Sequence, residues 1–567
     1  MKRKTFELSQ ADASLQWHQA ASETYMSGSL SGIRLQGLVA KAENAGAVGA
    51  ADIAKAGKSG DLKKNIARDL NRNMRRNSLW PKFYYAKIPI WDPKLESMTL
   101  QSHPFLLPHE WIAKSMFLTG WSSVAANEAL HTGIFRHMQK IAQGLGSPVS
   151  DFVPLGFHCD GVPFGSQVFY SDSLELFSLN FPCGDIGTRI PFTAVQRTHL
   201  VKHETYNAIL GVLAWSLKQL AFGVWPETRH DGSNFDMGDA HRTTLQHKYK
   251  PAKALLVEIR ADWVALKQIF RFPQQNENSG ICWMCHATPA DIRDCSLSAS
   301  WRSQRRTVMS FHTELRHAGK SCPMWSVPGV NSSIVIVDWL HCADLGVTAD
   351  VMGNVLLELL DFFVGADRHV KMRALWSRIR QEYALQQIPQ SYQFPNLRLA
   401  SFFNGKKSPK LKGKAAHVRG LVPVLDSIVQ QTLLSDDCHS LTVKSCMMNL
   451  AICYSCLLDF SADKLDEASR RMAILYVSLE KEQLQNGVLK RWRVKPKLHL
   501  FMELCSFLCL KMHRGNPKFF WTYADESHGG ILRGLAKSRG GRASSASSAY
   551  RMLTFWVANN DLWQLLD

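Results

Sequence analysis

The sequence predicts a mixed α/β (α+β) fold, in which a sheet of mixed strand direction is flanked by helices and followed by a long helical region. Short apolar, β-prone runs succeed one another from residue 149, and the helical run "YNAILGVLAWSLKQLAFGVW" separates them from a further run, "KALLVEIRADW". Strands in series, then a helix, then another strand are typical of such a sheet. Over residues 351–515, Leu, Met and Ile recur at spacings of three and four, which predicts a helical domain.

The first two regions carry small residues and then positive charge. Residues 1–60 are rich in Ala, Gly and Ser and predict a flexible or weakly helical arm. Residues 61–148 predict a basic helical region, because a dense run of cations precedes Trp80, Tyr84 and Tyr85. Such residues can contact phosphates and stack on bases, although a solvated helix face is an equal alternative. The candidate DNA-binding residues here are Lys63, Lys64, Arg68, Arg72, Arg75 and Arg76.

Residues 149–265 hold the predicted sheet, with strands in "FVPLGFHC", "LELFSLNF" and "IPFTAVQRTHLV" and a polar loop over residues 230–248. Asp160 follows the first run, and Asp262 ends the run "KALLVEIRADW". A carboxylate at the end of a buried strand loses hydration and needs a partner. A helix N-terminus, an arginine or a metal ion shared with other carboxylates would each serve.

A third acid stands in the C-terminal region, residues 516–567, where Glu526 opens the helical stretch "DESHGGILRGLAKS". Asp525 is its neighbour and its main alternative. Three hard oxygen donors with open water positions suit Mg²⁺ or Mn²⁺. Two such ions activate a water or a 3′-hydroxyl and stabilise the leaving oxygen of a phosphodiester.

Residues 266–330 are loop-rich and contain the pair Cys282 and Cys285 in "CWMCHATP". A Cys-x-x-Cys pair chelates zinc well, because two thiolates on one turn share a tetrahedral ion. The sequence leaves the other two ligands open and allows buried free thiols as an alternative. The candidates for the remaining ligands are His286, Cys295, His312, His317 and Cys322.

The chain of 567 residues has a formal net charge of +19. Such an excess of positive charge favours polyanions, and nucleic acid above all. Two further basic stretches are candidate DNA contacts or solvated faces, one in a loop and one after Glu526. They comprise Lys406, Lys407, Lys410 and Lys412 in the loop, and Arg533, Lys537 and Arg539 near the end.

The 13 cysteines are scattered and often lie inside apolar runs, which suits reduced thiols in the cytosol or nucleus. No apolar segment follows the charges of "MKRKTFELSQ", so a secretory signal is not expected. The longest apolar runs are interrupted by Asp and His, so we expect no membrane partner.

Four motifs occur in order: "HCDGVPFG", "RADWVALKQIFRFPQQNENSGICWMCHATP", "IVIVDWLHCADLGV" and "DESHGGILRGLAKS". Their order and spacing resemble those of DDE-type DNA transposases with an RNase H-like core, of the CACTA (En/Spm-like) and hAT group. The resemblance covers roughly residues 80–560. It rests on the set of motifs and not on any single one.

The resemblance implies that Asp160, Asp262 and Glu526 form a DDE triad that holds Mg²⁺ or Mn²⁺. It implies that Asp338 and His341, in segment 331–350, form an Asp-x-x-His motif. His341 would orient DNA or support an active-site carboxylate, with a satisfied core histidine as the alternative. Residues 351–515 would be a helical insertion before the last acid. Asp338 and Asp344 are alternatives to Asp262.

The implied function is metal-dependent cleavage and transfer of DNA strands in the nucleus, with DNA as partner and a homo-oligomer as a candidate assembly. One departure is the lack of a recognisable zinc-finger domain before the core, which many such transposases have. We therefore keep a truncated or domesticated copy as an interpretation. Two alternatives follow: a catalytically inactive, transposase-derived protein that binds DNA or chromatin, and an unrelated metal-dependent nuclease.

Overall fold

The structure is a computed structural model of the chain. It describes residues 79–119, 132–164, 172–183, 188–273, 280–536 and 544–560. Between residues 17 and 72 it describes shorter stretches, namely 17, 20–21, 24–25, 30–47, 50–56, 66, 69–70 and 72.

The central feature is a four-stranded sheet in the order β5-β4-β3-β6. Strands β3 and β4 pair antiparallel, as do β4 and β5, whereas β3 and β6 run parallel. The mixed α/β class with a mixed sheet is thereby confirmed. The strands are β3 (Val153–Phe164), β4 (Asp172–Asn180), β5 (Arg189–Gln196) and β6 (Ala254–Ala261).

An extended segment continues the sheet beyond β6. Val335 bridges Ile259 in the parallel direction, and the N–H of Ile336 donates to the carbonyl of Ile259 at 3.1 Å. This segment ends at Asp338, so its carboxyl end lies at the same edge of the sheet as the end of β6. Loops that follow neighbouring parallel strands meet at such an edge.

Helices cover both faces of the sheet. Alternate residues of β3 point to opposite sides and so pack against different helices. On one side, Phe157 stacks on Phe177 and packs against Phe270, while Phe177 contacts Tyr206 of the long helix α5 (Lys202–Phe222). The other side carries His158, Asp160 and Val162 toward helix α16 (Tyr523–Ala536) near the C-terminus.

The remaining helices follow the sheet in chain order. Those around it are α1 (Gly32–Asn44), α2 (Ala51–Ala54), α3 (Pro108–Thr119), α4 (Thr132–Gly144), α5 (Lys202–Phe222), α6 (Ala240–Lys248), α7 (Trp263–Phe270), α8 (Ser300–Ser303) and α9 (Val308–His317). Those that follow are α10 (Ala349–Leu359), α11 (Arg368–Leu385), α12 (Ala415–Thr432), α13 (Cys438–Ser455), α14 (Ala462–Gln485), α15 (Pro496–Met502), α16 (Tyr523–Ala536) and α17 (Ser545–Asn559).

Two π-helical stretches, Leu340–Thr348 and Glu503–Lys511, interrupt the helical region. Stretches of this kind are rare and frequently occur at functional sites. The first begins one residue before His341, and the second begins at Glu503. Residues 351–515 otherwise form helices and loops without a strand, as their periodicity predicts.

The region 61–148 differs from the helical one that we expected. It contains a hairpin of β1 (Tyr84–Asp92) and β2 (Ser97–Phe105). Alternate residues of β1 from Tyr84 to Ile90 are buried, which is the period-two pattern of a strand. The basic run upstream led us to extend the helix over this pattern.

One further expectation is narrowed and another is corrected. Within the arm over residues 1–60, predicted as flexible or weakly helical, α1 and α2 are helices that bury Leu35, Val39 and Ile53 in a small core of their own. Within the loop predicted over residues 230–248, the last part forms α6. There Arg242 is held by ion pairs with Glu110 and Asp239, and these favour one fixed helical conformation over a solvated loop.

Candidate active site and metal centre

Asp160 and Asp262 lie at neighbouring positions on one edge of the sheet. Cys159 of β3 pairs with Ala261 of β6, and each aspartate follows its paired residue. Neighbouring strands are about 4.8 Å apart. The parallel pairing therefore places the two aspartates side by side.

Asp262 has a second role as the N-cap of α7. Its Oδ1 atom accepts a hydrogen bond from the N–H of Ala265 at 2.6 Å. The side chain thereby satisfies one of the backbone N–H groups that a helix N-terminus leaves without an intrahelical partner. One partner proposed from the sequence, a helix N-terminus, is thus present at Asp262 and leaves its second oxygen for another ligand.

Asp525 and Glu526, adjacent in the first turn of α16, point in different directions. Asp525 is buried and forms ion pairs with Arg189 and Arg260. Burial raises its pKa, but His158, Arg189 and Arg260 together outweigh burial and lower it. Glu526 instead lies beside Asp160, whose charge and side-chain contact help to raise the pKa of Glu526. Between the two sequence alternatives, Glu526 is the acid that faces Asp160.

Close packing of α16 on β3 sets this orientation. A Cβ atom built on Gly529 would lie 3.0 Å from Cγ1 of Val162, so glycine lets the helix approach the strand closely. Gly529 lies one helical turn after Glu526, on the same face of the helix. The glycine contact therefore brings Glu526 next to Asp160.

Asp338 joins the sheet edge to α16. Its oxygens accept hydrogen bonds from the N–H of Thr522 at 2.9 Å and from the Thr522 hydroxyl at 2.8 Å, directly before α16 begins. They also accept bonds from the N–H and Nδ1 of His341 at 2.9 and 2.7 Å. The oxygens of Asp338 are therefore already engaged, which makes it a structural partner of His341 and not a replacement for Asp262.

His341 is the cation among these acids. Its Nε2 atom lies 3.5 Å from Oε1 of Glu526. Burial lowers the pKa of His341, but the hydrogen bond and charge of Asp338, together with Glu526 and Asp262, raise it to about 9. We call Asp160, Asp262 and Glu526, with His341 beside them, the carboxylate cluster.

The charges in the carboxylate cluster are not fully compensated. Burial and the charge of Asp262 raise the pKa of Asp160, although His341 opposes this. Burial and the charge of Asp160 raise the pKa of Glu526 to about 7. Oε1 of Glu526 is buried and accepts no hydrogen bond from the described residues, and it faces Nε2 of His341 at 3.5 Å. Neighbouring carboxylates are the ligands that a hard divalent cation prefers.

Two cavities open on this cluster. Asp262, Asp338 and His341 line a cleft of about 150 Å³, which Lys497 also borders. Asp160 and Glu526 line a cavity of about 10 Å³ together with His158. The three acids are thus divided between two neighbouring cavities, and in this structure they do not close into one compact ligand shell.

Asp344, the other alternative to Asp262, lies elsewhere in the core. Its oxygens accept hydrogen bonds from the hydroxyls of Tyr454 and Tyr523, at 2.5 and 2.6 Å, and from the indole N–H of Trp339. Burial raises its pKa to about 6. Asp344 therefore serves a buried hydrogen-bond network.

A second cluster contains Cys282, Cys285, His499 and Glu503, all buried, with one ligand atom from each lying within 4.8 Å of the others. We call it the cysteine cluster. In the described part of the chain it is the one group of three or more Cys, His, Asp or Glu that converges this closely. Sγ of Cys285 lies 3.3 Å from Nε2 of His499, which in turn lies 3.7 Å from Glu503.

The surroundings of the cysteine cluster favour a thiolate. Burial raises the pKa of Cys282, but hydrogen bonds from Cys285 and His499 outweigh it and lower the pKa well below that of a free thiol. The N–H of Met284 donates to the Cys282 sulfur at 3.3 Å, and Arg305 binds Glu503 through both guanidinium nitrogens. Two sulfurs, one imidazole and one carboxylate are ligands that tetrahedral zinc accepts.

His499 and Glu503 were missed in the sequence. The five candidates that we considered all lie close after Cys285, and none of them belongs to the cysteine cluster. His286 is exposed, and Nε2 of His312 accepts a hydrogen bond from the N–H of Ser332. A His-x-x-x-Glu pair on one helix face was the available signal, because residues four apart are neighbours there.

The predicted DNA-binding residues fall into two groups. Arg72 is exposed, Arg533 is half-buried, and the loop Lys406, Lys407, Lys410 and Lys412 borders a groove. The others lie outside the described residues, namely Lys63, Lys64, Arg68, Arg75, Arg76, Lys537 and Arg539.

Neither a scan against protein-family models nor a search of curated proteins finds a match for this chain. Within the part of the chain that the structure describes, no helix is both long and apolar enough to span a bilayer.

Proposed function

We propose that this chain is a DDE-type transposase-like protein that cleaves and joins DNA strands with Asp160, Asp262 and Glu526. The observation that carries the proposal is the convergence at the sheet edge. Asp160 lies within β3 where its parallel pairing with β6 ends, Asp262 directly follows β6, and the glutamate of a packed helix lies beside Asp160. An enzyme of this class would act on chromosomal DNA in the nucleus.

The order of elements supports an RNase H-like core. A mixed sheet with helices on both faces holds both aspartates, and the last acid follows on α16 after the all-helical stretch 351–515. This is the sequence of elements that the family resemblance implies, with the helical stretch as an insertion. The fold class alone would not support a function, so the proposal depends on the site.

Mg²⁺ or Mn²⁺ bound to the three carboxylates would activate the attacking oxygen and stabilise the leaving oxygen of the phosphodiester. Asp160 lies between the other two acids, since it neighbours Asp262 across the strands and Glu526 on the helix. The carboxylate of Asp160 is thus placed to bind metal ions at two adjacent positions, one beside Asp262 and one beside Glu526. Burial raises the pKa of both Asp160 and Glu526, and a neighbouring carboxylate raises each further, Asp262 for Asp160 and Asp160 for Glu526, so a bound cation would be favoured there.

His341 and Asp338 act as positioning residues in this proposal. Asp338 fixes the imidazole through Nδ1 and at the same time fixes the start of α16 through Thr522. One buried carboxylate therefore sets the distance between His341 and Glu526. The imidazolium partly neutralises the acids when no metal ion is bound.

We also propose that the cysteine cluster holds a structural zinc ion. All four residues are buried and come from two distant segments of the chain, so a shared ion would join the loop after α7 to the helical region. A closed site with four protein ligands is the usual form of structural zinc.

The test of the DDE proposal is Asp160→Asn. Because the substitution removes one of several repelling charges, we expect the free energy of unfolding to stay within about 1 kcal/mol of the wild-type value or to rise. Cleavage of the terminal DNA sequences of the transposable element, in the presence of Mg²⁺ or Mn²⁺, should disappear. DNA binding should persist, since it depends on Lys and Arg surfaces.

Asp463→Asn, an exposed substitution on α14, is the matched control and should leave cleavage unchanged. Full cleavage by Asp160→Asn would reject the catalytic role, and a large fall in melting temperature would make Asp160 a structural residue. Wild-type protein that binds the correct ends without cutting them would favour the inactive, DNA-binding alternative.

A further inference from the structure

A basic groove of about 660 Å³ lies between the loop that precedes α12 and the segment that leads into α15. The loop contributes Lys406, Lys407, Lys410 and Lys412, and the segment contributes Lys490, Arg493 and Lys495. These two stretches are far apart in the sequence, and only the fold brings them together. We call this site the lysine groove.

The positive charge of the lysine groove is largely uncompensated. No Asp or Glu lines it, and this part of the chain is fully described. The Asn404 side chain accepts hydrogen bonds from the N–H groups of Lys406 and Lys407, both at 3.1 Å, which holds the loop in one conformation. The fold therefore presents cations from two sides across a shared space.

At its inner end, three lysines share one carboxylate. Lys495 donates to Asp350 at 2.6 Å, and Lys410 lies near the same acid. Burial lowers the pKa of Lys410, and the charges of Lys497 and Lys495 lower it further, while Asp350 opposes them. An anion bound there would relieve this repulsion.

The inner end also reaches the carboxylate cluster. Nζ of Lys497 donates to the backbone carbonyl of His341 at 2.7 Å, and Lys497 lines the cleft that contains Asp262. Lys495 and Lys497 flank Pro496 at the first turn of α15. A line of positive charge thus runs from the cleft through Lys497 and Lys495 into the groove.

We infer that the lysine groove binds the sugar–phosphate backbone of the DNA on one side of the position cut at the carboxylate cluster. The inference rests on the proposed function for the identity of the ligand. A ligand that extends from an acidic metal site along a row of lysines carries negative charge at regular intervals. A nucleic-acid strand meets this description and an isolated phosphate does not.

The experiment measures DNA affinity in EDTA, so that no cleavage is needed. The probes are a short labelled single strand of mixed sequence and the matching duplex, titrated by fluorescence anisotropy at several salt concentrations. The variant Lys406→Gln/Lys407→Gln/Lys490→Gln removes three exposed charges of the groove. The matched control, Lys87→Gln/Lys94→Gln/Lys250→Gln, removes three exposed lysines that do not line it.

The slope of log K against log salt is negative, and each lost phosphate contact should reduce its magnitude by about 0.7 for the single strand or about 0.9 for the duplex. We expect the groove variant to show a slope smaller in magnitude by about 2 to 3 and weaker binding, and the control to match the wild type. The probe with the larger change identifies the form of DNA that the groove holds.

Equal affinities and slopes for the groove variant and the control, with both probes, would overturn the inference. So would groove-dependent binding of poly-glutamate as tight as that of DNA, since the groove would then recognise acidic polypeptide equally well. If the groove variant binds DNA more weakly than the control while the wild-type protein never cleaves DNA, this inference is sustained and the enzymatic part of the proposed function is rejected.

Discussion

The carboxylate cluster and the cysteine cluster both gather acidic ligand groups, but their surroundings are opposite. Glu526 and His341 expose 33% and 23% of their side chains beside a cleft, whereas the four members of the cysteine cluster are buried. The acids of the first cluster repel one another across open cavities. In the second, His499, Arg305 and the N–H of Met284 already surround the sulfurs and the carboxylate.

This difference separates a site that acts on a ligand from one that holds the chain together. An open position and unpaired charge are needed where a substrate must enter, and a closed tetrahedral shell suits a structural ion. We therefore expect substitutions in the cysteine cluster to change the fold. Those in the carboxylate cluster should change activity at nearly constant stability.

The largest effect should follow from Cys282→Ser/Cys285→Ser. Loss of both sulfurs removes zinc binding, and binding energy at a structural site is folding energy, so the free energy of unfolding should fall by several kcal/mol. Metal analysis and urea unfolding provide the measurement. Cys438→Ser, at an exposed cysteine, is the control and should match the wild type.

Wild-type protein that contains no zinc as purified, and that unfolds at the same urea midpoint as the double serine variant, would contradict this prediction. It would return Cys282 and Cys285 to the class of buried free thiols, which the sequence allowed.

The adjacent acids Asp525 and Glu526 provide the next test. Asp525→Ala leaves Arg189 and Arg260 buried without their shared partner, and breaking a buried pair costs about 3–5 kcal/mol. Glu526→Gln removes a repelled charge and should cost less than about 1 kcal/mol while abolishing cleavage. Urea unfolding and a nicking assay measure both variants. If Asp525→Ala abolished cleavage at nearly constant stability while Glu526→Gln lost stability, the third acid would be Asp525 and not Glu526.

These two residues show where sequence reasoning stopped. The apolar runs before Asp160 and Asp262 predicted the strands, and parallel pairing then made the aspartates neighbours. Choosing between Asp525 and Glu526 requires the rotation of α16, since consecutive residues on a helix point about 100° apart. Gly529 sets that rotation through its contact with Val162, and no local pattern reveals it.

The full membership of the cysteine cluster and of the lysine groove could not be predicted from the sequence, for a related reason. His499 and Glu503 lie in the helical region, distant along the chain from Cys282, so their convergence is a property of tertiary packing. Likewise, the loop at Lys406 is recognisable in the sequence as a basic stretch. Lys490 and Arg493 can be identified as its partners only in the structure, where they line the same groove.

Asp262→Asn should separate the two roles of that residue. Asparagine is as good an N-cap as aspartate, so α7 should persist and stability should change by less than about 1 kcal/mol. Cleavage should be lost, because an amide is a poor ligand for a hard divalent ion compared with a carboxylate. If Asp262→Asn cleaves normally, Asp262 is a helix cap and the triad must be redrawn.

The smallest effect concerns a histidine that resembles His341 but lies away from both clusters. His439 lies between Glu358 and Glu482, and the hydrogen bond to Glu358 is the main cause that raises its pKa to about 9. The folded state thus binds the proton more tightly than the unfolded state, whose histidine pKa is about 6.5. Its contribution to stability is complete below about pH 6.5 and is lost as the pH rises toward 9.

His439→Gln should therefore lower the melting temperature at pH 6 and have almost no effect at pH 9, with cleavage unchanged at either pH. A melting-temperature difference that stays constant with pH would show that His439 acts by packing, and a loss of cleavage would end the separation between structural and functional charges on which the comparison rests.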